Sequence, residues 1–216
     1  MYKYKAVIFD LDGTLLDTST DLASAVNYAL NKNGYQTYTV KEIISFVGNG
    51  VKNLIKRALK NCEDDKIVGC VLGDFKDYYE KNNAVYTAPY EKITDLLKNL
   101  KTDGVITAVY SNKYDSAVKK LANKYFPNLI NSAFGERDGY NKKPDATQLL
   151  EFMVSNGLDK KDCVYIGDSE VDILTAKNAG VNCISVCWGF KGKEFLVKNG
   201  AKILASTIEE LDELLK

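Results

Sequence analysis

Five short apolar runs constrain the fold of this chain most. They are AVIF (6–9), VITAVY (105–110), CVYIG (163–167), CISVCW (183–188) and KILA (202–205), four to six residues each and rich in Val and Ile. None alternates strictly between apolar and polar residues. Strands solvated on one face alternate, whereas strands covered on both faces of a parallel sheet do not. Between the runs lie stretches with helical spacing. In 91–101 (EKITDLLKNLK), Ile93, Leu96, Leu97 and Leu100 share one face, and 115–125 and 145–156 repeat the pattern more weakly. The stretch 171–180 ends in Gly180, a residue type that closes helices in a left-handed conformation. Strand–helix alternation predicts a doubly wound α/β sheet with right-handed crossovers.

One region departs from that rhythm. From Ser19 to about Asn82 there are only helical patterns. Leu22, Ala25, Val26, Ala29 and Leu30 form one stripe in 21–32, and Val51, Leu54, Ile55, Ala58 and Leu59 form another in 51–60. A third candidate, 67–81, is weakened by Gly69 and Gly73. An all-helical insert is therefore expected directly after the first strand.

The totals narrow the chemistry. Among 216 residues, 29 basic and 29 acidic side chains balance without long blocks of one sign, so nucleic-acid or membrane-surface binding has no electrostatic footprint. The apolar runs are far shorter than the ~20 residues of a membrane span. The N-terminus lacks the apolar core of a signal peptide, and a cytoplasmic protein is expected. Five cysteines, an odd number without a CxxC, suggest neither a disulfide framework nor a thiolate zinc site. There is no histidine, which excludes Ser–His–Asp, Cys–His and HExxH chemistry. Acid–base work falls to Asp, Glu, Lys, Tyr or Cys, and metal binding to oxygen ligands, which favour Mg²⁺ or Ca²⁺.

Carboxylates stand where such chemistry would sit. Asp10 and Asp12 are two apart at the end of the first run, so their side chains point the same way. Ligands of open α/β sheets bind at the carboxyl ends of strands. The second run delivers Ser111 and Asn112, the third delivers Asp168 with Asp172 four residues on, and Lys143 precedes Pro144 in the remaining connection. A divalent cation among Asp10, Asp168 and nearby oxygens offsets their mutual repulsion and polarises a phosphoryl oxygen. Asp10 could then attack phosphorus, Asp12 serve as acid and base, and Lys143 with Ser111 hold phosphoryl oxygens. Taken singly, Asp172 reads as a helix cap, Ser111 as a turn residue and Lys143 as a surface lysine. An EF-hand loop fails, because its sixth and twelfth positions counted from Asp10 are Leu15 and Asp21.

In order along the chain, Asp10-Leu11-Asp12-Gly13-Thr14, Ser111-Asn112, Lys143-Pro144 and Gly167-Asp168-Ser169 with Asp172 resemble the four motifs of haloacid dehalogenase-like hydrolases. The resemblance implies a Rossmann-like core, residues 1–16 and 85–216, with a helical C1 cap, residues 17–84. It implies Asp10 as nucleophile and Asp12 as acid/base. Mg²⁺ would be held by Asp10, the Asp12 carbonyl and Asp168, with Asp172 in support, and phosphate by Gly13, Ser111, Asn112 and Lys143. The third motif lacks the second proline of Lys-Pro-x-Pro, which loosens the next helix start but keeps the lysine.

The cap stretch FVGNGVKNLIKRAL (46–59) is most similar to phosphoglycolate phosphatases and close relatives. Gly48, Asn49 and Gly50 read either as a substrate-approaching loop or as a plain turn. Arg57 and Lys52 read either as a solvated face or as ligands of a substrate carboxylate. Trp188 and Phe190 read as packing or as an entrance. The expected activity is Mg²⁺-dependent hydrolysis of a small phosphorylated metabolite through an aspartyl-phosphate, by a monomer or homodimer with no nucleic-acid or membrane partner. The alternatives are a phosphomutase of the β-phosphoglucomutase kind, pyrophosphatase or 5′-nucleotidase activity on the same scaffold, and a non-catalytic binding protein.

Overall fold

The computed structural model describes residues 1–48 and 50–216; Asn49 lies outside the described residues. The chain divides into two compact units, Met1–Leu16 with Pro89–Lys216, and Asp17–Ala88.

The first unit is built on a six-stranded sheet. Its strands are β1 (Ala6–Phe9), β4 (Ile106–Tyr114), β5 (Ser132–Glu136), β6 (Cys163–Gly167), β7 (Asn182–Val186) and β8 (Leu204–Ala205), in the order β5-β4-β1-β6-β7-β8. Every pairing is parallel, with Phe9 opposite Val109 on one side and Ile166 on the other. Helices α5 (Ile93–Thr102), α6 (Asp115–Tyr125), α7 (Thr147–Ser155), α8 (Glu170–Ala179), α9 (Gly192–Lys198) and α10 (Ile208–Leu215) connect and cover it. All four β1 residues are fully buried, as the lack of alternation in AVIF requires. Ile8, Ala108, Tyr110, Leu149, Phe152 and Tyr165 pack together on one face of the sheet. The expected α/β architecture, a Rossmann-like parallel sheet, is what forms. Strand order reverses at β1, with β4 on one side and β6 on the other, so the carboxyl end of β1 is the switch point where such sheets bind ligands.

The second unit is all-helical: α1 (Ser19–Lys32), α2 (Val40–Phe46), α3 (Val51–Ala58) and α4 (Asp65–Asn82). Leu22, Val26, Leu30, Ile43, Ile55, Val71 and Phe75 form its core. Helix α4 runs through Gly69 and Gly73. Two helical glycines cost about 1 kcal/mol each, less than burial of Val68, Val71, Phe75 and Tyr79 returns at about 1.5–3 kcal/mol per large side chain. The Asp64 carboxylate caps α4 by accepting the Lys66 and Ile67 N–H groups. Buried Asp21 closes the unit: its carboxylate accepts the N–H groups of Val85, Tyr86 and Thr87 and the Thr87 hydroxyl at 2.7–3.0 Å. Two short strands, β2 (Leu16–Asp17) and β3 (Ala88–Pro89), pair where the chain passes from one unit to the other. No helix among the described residues is long and apolar enough to cross a membrane.

Candidate active site

Strand β1 delivers Asp10. Its N–H donates to Ile166 O at 2.8 Å, extending the ladder one residue past the strand and fixing a residue that is 7% exposed. The Leu15 and Leu16 N–H groups then both return to Leu11 O at 3.0 Å, which curls the chain back at once. Gly13 makes that turn with φ +84°, and a Cβ there would collide with the Asp168 carboxylate. The requirement for glycine at this position is thus both conformational and steric.

Strand β6 ends at Gly167, beside β1, and sets Asp168 next to Asp10. Ser169 caps α8, and its Oγ and N–H both donate to Asp172 Oδ2, at 2.6 and 3.1 Å. That capping box aims the other Asp172 oxygen at Lys143. Asp172 therefore closes the α8 capping box with one oxygen and meets Lys143 with the other. Oxygens of Asp10, Asp168 and Asp172 lie within 4.8 Å of one another, and all three residues are buried.

Lys143, 5% exposed, stands against this cluster. Its Nζ donates to Asp10 Oδ1 and Asp172 Oδ1, both at 2.7 Å, and to the Tyr165 hydroxyl at 3.0 Å. Three donors thus have three acceptors. Tyr165 in turn donates to Tyr110 O at 2.8 Å. Asn112 grips the Lys143 main chain, its Oδ1 accepting the N–H at 2.7 Å and its Nδ2 donating to the carbonyl at 3.1 Å. Ser111 is buried, and its hydroxyl accepts the Lys113 N–H at 3.3 Å. Lys113, 8% exposed, donates from Nζ to Asp12 Oδ1 at 2.7 Å.

Burial raises the Asp10 carboxyl most. The Lys143 ammonium pulls it back, Asp172 and Asp12 push it up again, and it comes to about 7. Burial, then repulsion from Asp172 and Asp10, holds Asp168 well above the usual carboxylate range. Burial opposes the charge on Lys143, but Asp10 and Asp172 outweigh it and hold the ammonium well above its ordinary value. Four carboxylates, counting Asp12, face two ammoniums, an excess of two negative charges when all are ionised. Clustered, buried, oxygen-only donors with that excess suit a divalent cation of the Mg²⁺ or Ca²⁺ kind.

Most of the residues singled out in the sequence meet here: Asp10, Asp12, Gly13, Ser111, Asn112, Lys143, Asp168 and Asp172. The structure changes three details. The Asn112 side chain holds Lys143 rather than standing ready for phosphate, because both ends of its amide are engaged. Lys143 has no N–H to offer a phosphoryl oxygen until one of its three partners is exchanged. Half-buried Arg57 has a structural task as well: its Nη1 donates to Phe46 O at 2.6 Å and Gly48 O at 3.0 Å, fastening the segment before α3. Gly48 and Gly50 flank that loop with φ +140° and +86°. Trp188 packs, its indole N–H on Thr14 O at 3.2 Å and its ring tilted against Tyr90. Lys113, Tyr165 and Gly189 escaped the sequence reading. Gly189 leaves room for Asp168, whose Oδ2 accepts the Phe190 N–H at 2.6 Å.

A comparison with known families decides the wider identity. The family model for haloacid dehalogenase-like hydrolases matches residues 7–186. The chain belongs to this family. Among curated members it is 31% identical to phosphoglycolate phosphatase of Aquifex aeolicus, over 98% of this chain and 95% of that protein. It is also 31% identical to phosphoglycolate phosphatase of Vibrio parahaemolyticus, over 98% and 96% respectively. A crystal structure from Lactobacillus delbrueckii subsp. bulgaricus, provisionally named a phosphoglycolate phosphatase, superposes with TM-score 0.94 at 40% identity, covering 99% of this chain and 98% of that one. This haloacid dehalogenase-like hydrolase therefore shares fold and full length with those relatives, not only the motif stretch.

Proposed function

We propose that this chain is a Mg²⁺-dependent phosphatase that hydrolyses a small phosphomonoester, phosphoglycolate-like, through an aspartyl-phosphate on Asp10. The observation that carries the proposal is the buried triad Asp10–Asp168–Asp172 with Lys143 on it, at the switch point of a haloacid dehalogenase-like core. The phosphatase class is supported by relatives of that name across the whole chain.

Asp10 and Asp168, with the Asp12 carbonyl, would hold the cation, and Asp172 supports them. Bound there, it supplies positive charge that offsets the carboxylates and polarises a phosphoryl oxygen. The rest is the work of side chains. An Asp10 oxygen attacks phosphorus, and the bond from phosphorus to the ester oxygen breaks. Asp12 gives its proton to the departing oxygen and becomes a carboxylate. That carboxylate takes a proton from a water whose oxygen then attacks phosphorus, and the Asp10–phosphorus bond breaks. Inorganic phosphate leaves, with Asp10 ionised and Asp12 protonated as at the start. Lys143 and Ser111 stabilise phosphoryl charge as it shifts.

The test is phosphate release from a panel including phosphoglycolate, sugar phosphates, nucleoside monophosphates, pyrophosphate and p-nitrophenyl phosphate, with Mg²⁺ and with EDTA. Turnover is expected with Mg²⁺ only, and Asp10→Asn abolishes it. Folded wild type that releases nothing from any ester, or Asp10→Asn with near-normal turnover, overturns the reading.

A further inference from the structure

The two aspartates of the first motif each have their own buried lysine. Lys143 bonds Asp10, and Lys113, on β4 and 101 positions away from Asp12, bonds Asp12 Oδ1 at 2.7 Å. Its side chain is 7% exposed, whereas Asp12 is 20% exposed on the side chain. An ammonium taken out of water is costly unless it is paired, and the Asp12 carboxylate pairs this one. The strand enforces the same arrangement. Ser111 Oγ accepts the Lys113 N–H and Asn112 clamps the Lys143 main chain, so three consecutive residues of β4 each fix a different part of the site. Asp12 itself is absent from the carboxylate triad. Its side chain is turned toward Lys113.

We infer that Lys113 is a positioning residue that serves the second half of the reaction. The inference rests on the phosphatase reading above, in which Asp12 is protonated during attack on the ester and ionised once it has protonated the leaving group. An ammonium bonded to Asp12 Oδ1 matches the ionised state. It holds Oδ1 and so fixes the carboxylate that takes the proton of the attacking water. Lys113 moves no proton and touches no substrate. It orients the base that completes turnover, and orientation of a general base carries much of the 10²–10⁴-fold that such groups contribute.

A residue needed only for breakdown of the aspartyl-phosphate has a signature that general structural damage lacks. With p-nitrophenyl phosphate, whose leaving group needs no proton, Lys113→Met is expected to leave kcat/KM within about threefold of wild type and to lower kcat by about 10–100-fold. Phosphoenzyme then accumulates, and rapid mixing shows a burst of nearly one nitrophenol per active site. Lys113→Arg, which keeps the charge, restores kcat to within about tenfold of wild type and removes the burst. Lys113→Gln keeps a polar end in the buried slot and is read by the same two signatures if the methionine variant does not fold. Equal losses in kcat and kcat/KM without a burst, or unchanged kcat in both neutral variants, overturn the inference. An inert wild type instead overturns the phosphatase reading, so the two failures are distinct.

Discussion

Gly189 follows Trp188 in a segment with no side-chain chemistry of its own, yet its missing methyl determines where Asp168 can sit. A Cβ built there falls about 1 Å inside ordinary van der Waals contact with Asp168 Oδ2, and equally close to Gly13 O. The backbone at 189 is not left-handed, so alanine meets no conformational penalty and the effect is purely steric. Asp168 cannot retreat toward the first motif, where Gly13 closes on the same carboxylate. It must swing by about 1 Å and give up the Phe190 N–H, its 2.6 Å partner. Displacements of that size cost about 10²-fold in turnover, and loss of a group orienting a metal ligand costs about 10–100-fold in metal affinity. Overpacking itself removes about 1–3 kcal/mol of stability. Gly189→Ala should therefore remain folded, need 10–100 times more Mg²⁺ for half-maximal rate, and turn over about 10²-fold more slowly at saturating Mg²⁺. Gly69→Ala is the control. It lies in α4 with nothing within 4 Å of a built Cβ and should leave the kinetics alone while adding about 0.5–1 kcal/mol of stability. The measurement is initial rate against Mg²⁺ concentration, beside thermal unfolding. A folded Gly189→Ala within threefold of wild type in both parameters refutes the steric argument.

Two further outcomes follow from other parts of the molecule. Asp21→Asn puts an amide where three N–H groups and a hydroxyl converge on a buried carboxylate; it should cost about 2–4 kcal/mol and speed hydrogen exchange at Val85, Tyr86 and Thr87, and unchanged exchange at those amides would sink the idea. Asp10, raised by burial to about 7 when no cation is present, binds its proton more tightly folded than unfolded, so the metal-free fold loses this contribution as pH rises from about 4 through 7. Mg²⁺ displaces that proton, and its stabilisation, read as the shift in Tm, should be larger at pH 8 than at pH 6; equal shifts at both would contradict the linkage.

Legibility in the sequence follows the range of each interaction. Strands buried on both faces leave continuous runs, so β1, β4, β6, β7 and β8 all announced themselves. Strand β5, Ser132–Glu136, did not: it lies at the edge of the sheet, and its SAFGE offers only Ala133 and Phe134 as apolar residues, flanked by serine, glycine and glutamate. Helix α2 is seven residues long and is held by the Thr39–Glu42 capping box rather than by a long stripe. The site motifs were legible because each is compact, and those at Asp10 and Asp168 directly follow strands β1 and β6. Lys113 and Tyr165 were not, since their partners are 101 and 22 residues away, and nothing local separates a buried ion pair from a surface lysine or a strand tyrosine. The bonds of Arg57 were illegible for the same reason: two backbone carbonyls, at 46 and 48, are invisible as partners until the chain is folded.

Why a buried strand should end in two carboxylates now has a physical answer. Burial raises the cost of ionising Asp10, and Asp12 beside it adds to that cost. The fold separates their fates. Lys143, gripped by Asn112 and bonded to Tyr165, engages Asp10 and Asp172, beside Asp168. Lys113 takes Asp12 out of that cluster. Each aspartate is then held in its own electrostatic surroundings, one inside a site suited to a cation and the other bonded to the Lys113 ammonium, and groups with different surroundings can carry different protonation states at one pH. The proposed roles, Asp10 as nucleophile and Asp12 as acid/base, need that separation. Both lysines reach the pair from residues distant in sequence, so the division of labour between the aspartates is a property of the folded sheet and not of the DLD tripeptide.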